Sequence, residues 1–109
     1  MELKVDKTET FTIVKIEGRI DTTNFNEFEK EIATVIDGGA NNIVLDCEGL
    51  NYISSSGLRV FLITQKRLMG SKGKLHLCNM QPTIKEIFDI SGFSTIFKIF
   101  DTKEAALAE

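Results

Sequence analysis

Residues 43–69 read Ile-Val-Leu-Asp-Cys-Glu-Gly-Leu-Asn-Tyr-Ile-Ser-Ser-Ser-Gly-Leu-Arg-Val-Phe-Leu-Ile-Thr-Gln-Lys-Arg-Leu-Met, a strand signature followed by a helix signature. The stretch opens on Ile43-Val44-Leu45, a short continuous apolar run of the kind found in strands buried on both faces. Asp46 to Ile53, with Gly49 in its middle, reads as a loop. From Ser56 to Met69 the chain is densely apolar, and its cations Lys66 and Arg67 gather at the end, where positive charge suits a helix C-terminus. A buried strand leading into a buried helix is the repeating unit of an α/β domain.

The same rhythm continues in both directions. Upstream, Thr10–Glu17 carries apolar residues on both parities (Phe11 and Ile13, Val14 and Ile16), which predicts a central strand covered on both sides and ended by Gly18. A shorter strand, Glu2–Val5, precedes it. Phe25, Phe28, Ile32, Val35 and Ile36 then recur at helical spacing, with Asn24 and Glu27 as a capping-box-like start and Gly38-Gly39 as the stop. Downstream, Lys74–Cys78 reads as a strand and Pro82 opens a helix that ends at Ser91-Gly92. A short strand follows around Ile96–Phe100, and Asp101 with Glu104 starts an Ala-rich last helix. The order β-β-α-β-α-β-α-β-α predicts an N-terminal antiparallel hairpin, a mixed but mostly parallel sheet and about four helices. Sites in such sheets form where strands end and helices begin, which directs attention to Gly18–Asn24 and Asp46–Ser56.

Composition narrows the function classes. At 109 residues the chain is one domain, 1–109, large enough to bury a core without a metal or disulfide. Thirteen Lys and Arg face sixteen Asp and Glu, a net charge of −3, and the longest basic run is Lys66–Arg67, which argues against direct nucleic-acid binding. No segment approaches a membrane span, and Met1–Lys7 lacks the apolar stretch of a secretion signal, so the expected location is the cytoplasm with no membrane partner. Cys47 and Cys78 read as two buried thiols, without metal-ligand spacing alongside His76. No metal or other cofactor is expected. An enzyme is not expected either: a nucleophilic serine needs a base, and the only histidine, His76, falls inside a strand on the polar side of Leu75-His76-Leu77. Gly70-Ser71-Lys72-Gly73-Lys74 follows a helix and precedes a strand, the reverse of a phosphate-binding loop.

The most unusual local feature is Ser54-Ser55-Ser56 before the apolar helix. One serine suffices to cap it. With Ser54 as N-cap, the flanking Ile53 and Leu58 form a matched hydrophobic staple, whereas capping at Ser55 or Ser56 pairs Ser54 with Arg59 or Ser55 with Val60. Ser54 therefore serves structure, and Ser55 takes the first helical position, beside free N–H groups and the positive end of the helix dipole. A phosphate there is favourably placed.

Ser54-Ser55-Ser56-Gly57-Leu58 before the second helix, together with Gly18-Arg19-Ile20-Asp21 before the first, resembles the STAS domain, and in particular the bacterial anti-sigma factor antagonists. The resemblance spans the whole chain. It implies that Ser55, with Ser54 and Ser56 as fallbacks, is phosphorylated by a partner that is both a serine kinase and an anti-sigma factor. The unmodified protein would bind that partner and release the sigma factor, and a metal-dependent serine phosphatase would restore it after phosphorylation. Asp21, Thr22, Ser54, Ser56, Gly57 and Arg59 would form the rim of the phosphorylation site and the partner surface. Family members usually carry Asp where this chain has Ser54; both are good N-caps, so the exchange is structurally mild. The alternative is a STAS module that binds or scaffolds in another pathway without being phosphorylated, and a more distant one is a small enzyme using Ser55 as nucleophile.

Overall fold

Thr12 and Ile43 form the first pair of two strands that run side by side in parallel, and the rest of the chain is arranged on that pair. A computed structural model describes all 109 residues. The elements are β1 (Glu2–Lys7), β2 (Thr12–Ile20), α1 (Phe25–Asp37), β3 (Asn42–Ile53), α2 (Ser55–Gly70), β4 (Lys74–Cys78), α3 (Pro82–Ile90), a 3₁₀ turn Phe93–Thr95, β5 (Lys98–Phe100) and α4 (Lys103–Ala108). The sheet order is β1-β2-β3-β4-β5, with β1 antiparallel to β2 and every other pairing parallel. The predicted α/β class, hairpin and four helices are all present.

Side-chain alternation divides the apolar residues between two faces. Val14, Ile16, Ile43, Leu45, Leu75 and Leu77 join Phe28 and Ile32 of α1, Phe61 and Leu68 of α2 and Ile84 and Phe88 of α3 in the main core. Phe61 is its hub, with ring centroids 5.7 Å from Phe28 and 5.8 Å from Phe88. On the other face Phe11, Ile13, Val44 and Cys78 meet Ala106 of α4. His76 belongs to this second layer, which corrects the expectation of a polar side. It is buried between Phe11 and Phe100, and its Nδ1 lies 2.9 Å from the carbonyl of Ala106.

The expected loop Asp46–Ile53 is strand throughout. Its register against β2 moves from Lys15↔Asp46 to Glu17↔Gly49, and from Gly18↔Leu50 to Arg19↔Tyr52, so β3 carries an extra residue at each of two bulges. Its core-facing residues are therefore Ile43, Leu45 and Cys47 at spacing two, then Leu50 and Ile53 at spacing three. That spacing matches neither a regular strand nor a helix. Gly18, expected to end the second strand, instead sits inside β2 with φ 97°, a conformation that glycine alone adopts without strain. The other differences are small. Asn24 caps α1 without a side-chain bond to its first turn, so the capping box with Glu27 is absent. The last helix is capped by Thr102, whose Oγ1 accepts from the Ala105 N–H at 3.1 Å, rather than by Asp101. The last strand is shortened because the 3₁₀ turn takes up the segment before it.

Gly49 is where β3 bulges against β2. A Cβ there would stand 2.9 Å from the Ile16 carbonyl oxygen and 3.2 Å from the Glu17 Cα, both backbone atoms. Gly49→Ala is predicted to lower stability by about 1–3 kcal/mol, whereas Gly70→Ala, with nothing within 4 Å of the new carbon, leaves it unchanged or raises it. Urea unfolding midpoints check this, and equal midpoints for Gly49→Ala and wild type would show that the bulge is not tightly packed.

Candidate functional site

The C-terminal ends of β2 and β3 emerge together at one rim of the sheet. Ile20 pairs with Ile53, and the Ser54 N–H donates to the Ile20 carbonyl at 2.9 Å, extending the contact by one residue. The next residue of each chain segment is a functional candidate, Asp21 on one side and Ser55 on the other. The two segments that sequence singled out, Gly18–Asn24 and Asp46–Ser56, are thereby brought together at the C-terminal ends of β2 and β3.

At Ser54 the chain turns from strand into helix. Ser54 holds extended dihedrals (φ −84°, ψ 170°), and its Oγ accepts from the Gly57 N–H at 3.2 Å, as an N-cap should. Ile53 and Leu58 on either side are both buried in the main core, the expected staple. Ser54 is itself buried, Ser56 is half-buried and Ser55 is exposed. The three hydroxyls are thus sorted by position: one is spent on the cap, one is partly covered, and one faces solvent at the first position of a 16-residue helix. The Ser55 and Ser56 amides have no acceptor within the helix, so the helix dipole's positive end is open beside the Ser55 hydroxyl. Gly57 lets α2 lie close to the strands: a Cβ there would stand 2.8 Å from both Ile20 Cγ2 and Ile53 Cγ1.

Asp21 organises the opposite loop. Its Oδ1 accepts from the Thr23 N–H at 2.9 Å and from the Thr23 hydroxyl at 2.6 Å, and its Oδ2 accepts from Arg19 Nε at 2.9 Å. These bonds hold the carboxyl down to about 2, with the Thr23 hydroxyl the leading cause. Because folding lowers this pKa, the carboxylate's stabilising contribution is complete above the ordinary carboxylate range and is lost as pH falls towards 2. Asp21 is therefore ionised throughout the neutral range. Asn24, expected as a simple cap, ties the loop instead: its Oδ1 accepts from the Asp21 N–H at 2.9 Å and its Nδ2 donates to the Arg19 carbonyl at 2.9 Å.

Thr22 is exposed at the tip of this loop, and the Asp21 carboxylate bonds Thr23 rather than Thr22. Arg59 is exposed one turn after Ser55 and forms no ion pair. Two residues of the rim were missed by sequence reasoning. Arg19 lies with its guanidinium carbon 4.7 Å from the ring centroid of Tyr52, and Tyr52 is 43% exposed. Their pairing across β2 and β3 follows from the second bulge, and the GRID turn of Gly18–Asp21 was the available signal for Arg19. The rim thus presents a hydroxyl, a carboxylate already satisfied by its neighbours, two arginines and an aromatic ring. No histidine accompanies them, since His76 pairs with Val44, nine residues back from Ile53 along β3 and on the opposite face.

Residues 2–106 match the model of the STAS domain family. A Bordetella bronchiseptica protein that bears the name "Putative anti-sigma factor antagonist BtrV" is 41% identical over 108 residues, covering 99% of this chain and 93% of that protein. The crystal structure of an anti-sigma factor antagonist from Mycobacterium paratuberculosis superposes with a TM-score of 0.90 at 20% identity, over 98% of this chain and 91% of that one. The Bacillus cell fate determinant SpoIIAA in its phosphorylated form has the same fold, with a TM-score of 0.73 at 23% identity over 98% of this chain and 97% of that one.

The division of labour among the serines is measurable. Ser54→Ala is predicted to cost about 1 kcal/mol through the lost cap, and Ser55→Ala to change stability by less than about 0.5 kcal/mol. Chemical denaturation of the two variants checks the order. A larger loss at Ser55 than at Ser54 would mean that the cap is misassigned.

Proposed function

The chain belongs to the STAS domain family as an anti-sigma factor antagonist, and from this premise we propose that it works by a phosphorylation switch at Ser55. Proteins of this kind are regulators rather than enzymes. The unmodified protein binds an anti-sigma factor that is also a serine kinase, so that the sigma factor is released. Phosphorylation of Ser55 ends the binding, and a metal-dependent serine phosphatase reverses the modification.

The observation that carries this reading is the exposure of Ser55 at the first position of α2 while Ser54 is buried and hydrogen-bonded. A kinase reaching this turn meets one freely presented hydroxyl. The resulting phosphate, adding about −1.5 to −2 charges, lies at the positive end of α2, where the folded protein tolerates it without rearrangement. The partner does not. A surface fitted to a neutral hydroxyl must desolvate and repel the new charge, and each ~1.4 kcal/mol of that cost weakens binding about tenfold. That the fold carries a phosphoryl group in SpoIIAA supports the same reading. Around Ser55, the rim formed by Asp21, Thr22, Ser56, Gly57 and Arg59, widened by Arg19 and Tyr52, is the partner surface. Ser54 contributes there through the shape of the turn.

Incubation with ATP and the cognate kinase, followed by mass spectrometry, is expected to locate a single phosphate on Ser55. Ser55→Asp should weaken kinase binding at least about tenfold, and Ser55→Ala should bind like wild type but resist release by ATP. Absence of phosphate from Ser54, Ser55 and Ser56 alike would leave the protein a binding module without this switch. An Asp variant that bound as tightly as wild type would overturn the charge mechanism.

A further inference from the structure

The sheet has an open edge at β1, and its sequence is self-complementary. Thr8 N–H donates to the Phe11 carbonyl at 2.8 Å, so the pair Thr8/Phe11 is hydrogen-bonded. Antiparallel ladders alternate, and the register Asp6↔Ile13, Val5↔Val14, Lys4↔Lys15, Leu3↔Ile16 therefore commits the backbone groups of Asp6 and Lys4 to β2. Those of Leu3, Val5 and Lys7 point outward, unpaired. The Lys7 N–H accordingly donates to a side chain instead of a strand, the Asp6 carboxylate Oδ1 at 2.9 Å. Val5 is 50% exposed, and beside it Leu3 and Val35 of α1 line a shallow apolar groove of about 230 Å³.

We propose that β1 is the seam of a symmetric homodimer, two copies joining edge to edge about a two-fold axis through Val5. In that register Val5 faces Val5 of the second copy, and Leu3 faces Lys7 on either side, so all the outward backbone groups exchange hydrogen bonds. The intervening positions place Lys4 opposite Asp6 and Asp6 opposite Lys4, two pairs of opposite charge on one face. Moving the axis by one residue sets Lys4 against Lys4 or Asp6 against Asp6, so charge selects the register. Charged residues ordinarily guard an edge strand against pairing; here Lys4 and Asp6 each meet an opposite charge when the chain pairs with itself, while Lys7 lies against Leu3.

The arrangement leaves the phosphorylation rim free. β1 runs antiparallel to β2, so the Asp21 and Ser55 end of the sheet lies beyond Glu2. The two-fold axis then puts the two rims at opposite ends of a ten-stranded sheet, twice the five strands of one copy. Each copy can engage its own partner. Self-association by this route is independent of the state of Ser55.

Sedimentation equilibrium of the full chain across a wide concentration range tests the seam. Wild type is expected to dimerise reversibly, and Lys4→Asp and Asp6→Lys each to weaken dimerisation on the order of tenfold or more. An equimolar mixture of the two variants, and the double variant Lys4→Asp/Asp6→Lys, should associate again because opposite charges once more face each other. In wild type itself, the amides of Leu3 and Val5 should exchange with solvent more slowly at high concentration than after dilution. A wild type that stays monomeric, a dimer indifferent to both single reversals, or exchange at Leu3 and Val5 that ignores concentration would overturn the proposal.

Discussion

One hydrogen bond, from the Ser54 N–H to the Ile20 carbonyl, joins the two halves of the candidate site, and the arrangement around it depends on how β2 and β3 end. The strands run parallel, so both finish at the same rim, and the bulges in β3 absorb extra residues so that Ile53 arrives opposite Ile20. From there Ser54 turns the chain into α2, and the missing Cβ of Gly57 lets that helix settle against Ile20 and Ile53. A helix start displaced by one residue would exchange the roles of the three serines. The identity of the exposed hydroxyl is thus a consequence of core packing.

Much of this was legible in the sequence, for identifiable reasons. Ser54 could be assigned as the cap because only that choice puts apolar residues, Ile53 and Leu58, at both staple positions, and the structure buries both. The element order was legible because helix and strand periods differ. What periodicity could not reveal was β3 beyond Leu45, where two bulges convert the regular alternation into the spacing Cys47, Leu50, Ile53. Nor could it reveal His76, whose burial depends on Phe11, Phe100 and the Ala106 carbonyl arriving from three separate segments. The Arg19–Tyr52 contact escaped for the same reason: it is created by the pairing of the strands.

The electrostatics of the rim bear on how the proposed switch at Ser55 would act without refolding the chain. Asp21 is satisfied by Thr23 and Arg19, so its negative charge is balanced locally before any modification occurs. Ser55 lies at the positive pole of a 16-residue helix, with Arg59 one turn on. A phosphate arriving there would meet the positive end of the helix dipole. On the proposed mechanism its cost would fall on the complex, where the partner would have to bury or face it, and not on the core beneath, centred on Phe61.

Whether phosphorylation of Ser55 changes only the surface and leaves the core as it is can be read from amide chemical shifts of the unmodified and the Ser55-phosphorylated protein. The account predicts changes confined to residues 19–24 and 53–59, with β4, α3, β5 and α4 unmoved. Shift changes spread through the core around Phe61, Phe88 and Phe97 would contradict it, because the phosphate would then be acting by changing the fold rather than the charge of its surface.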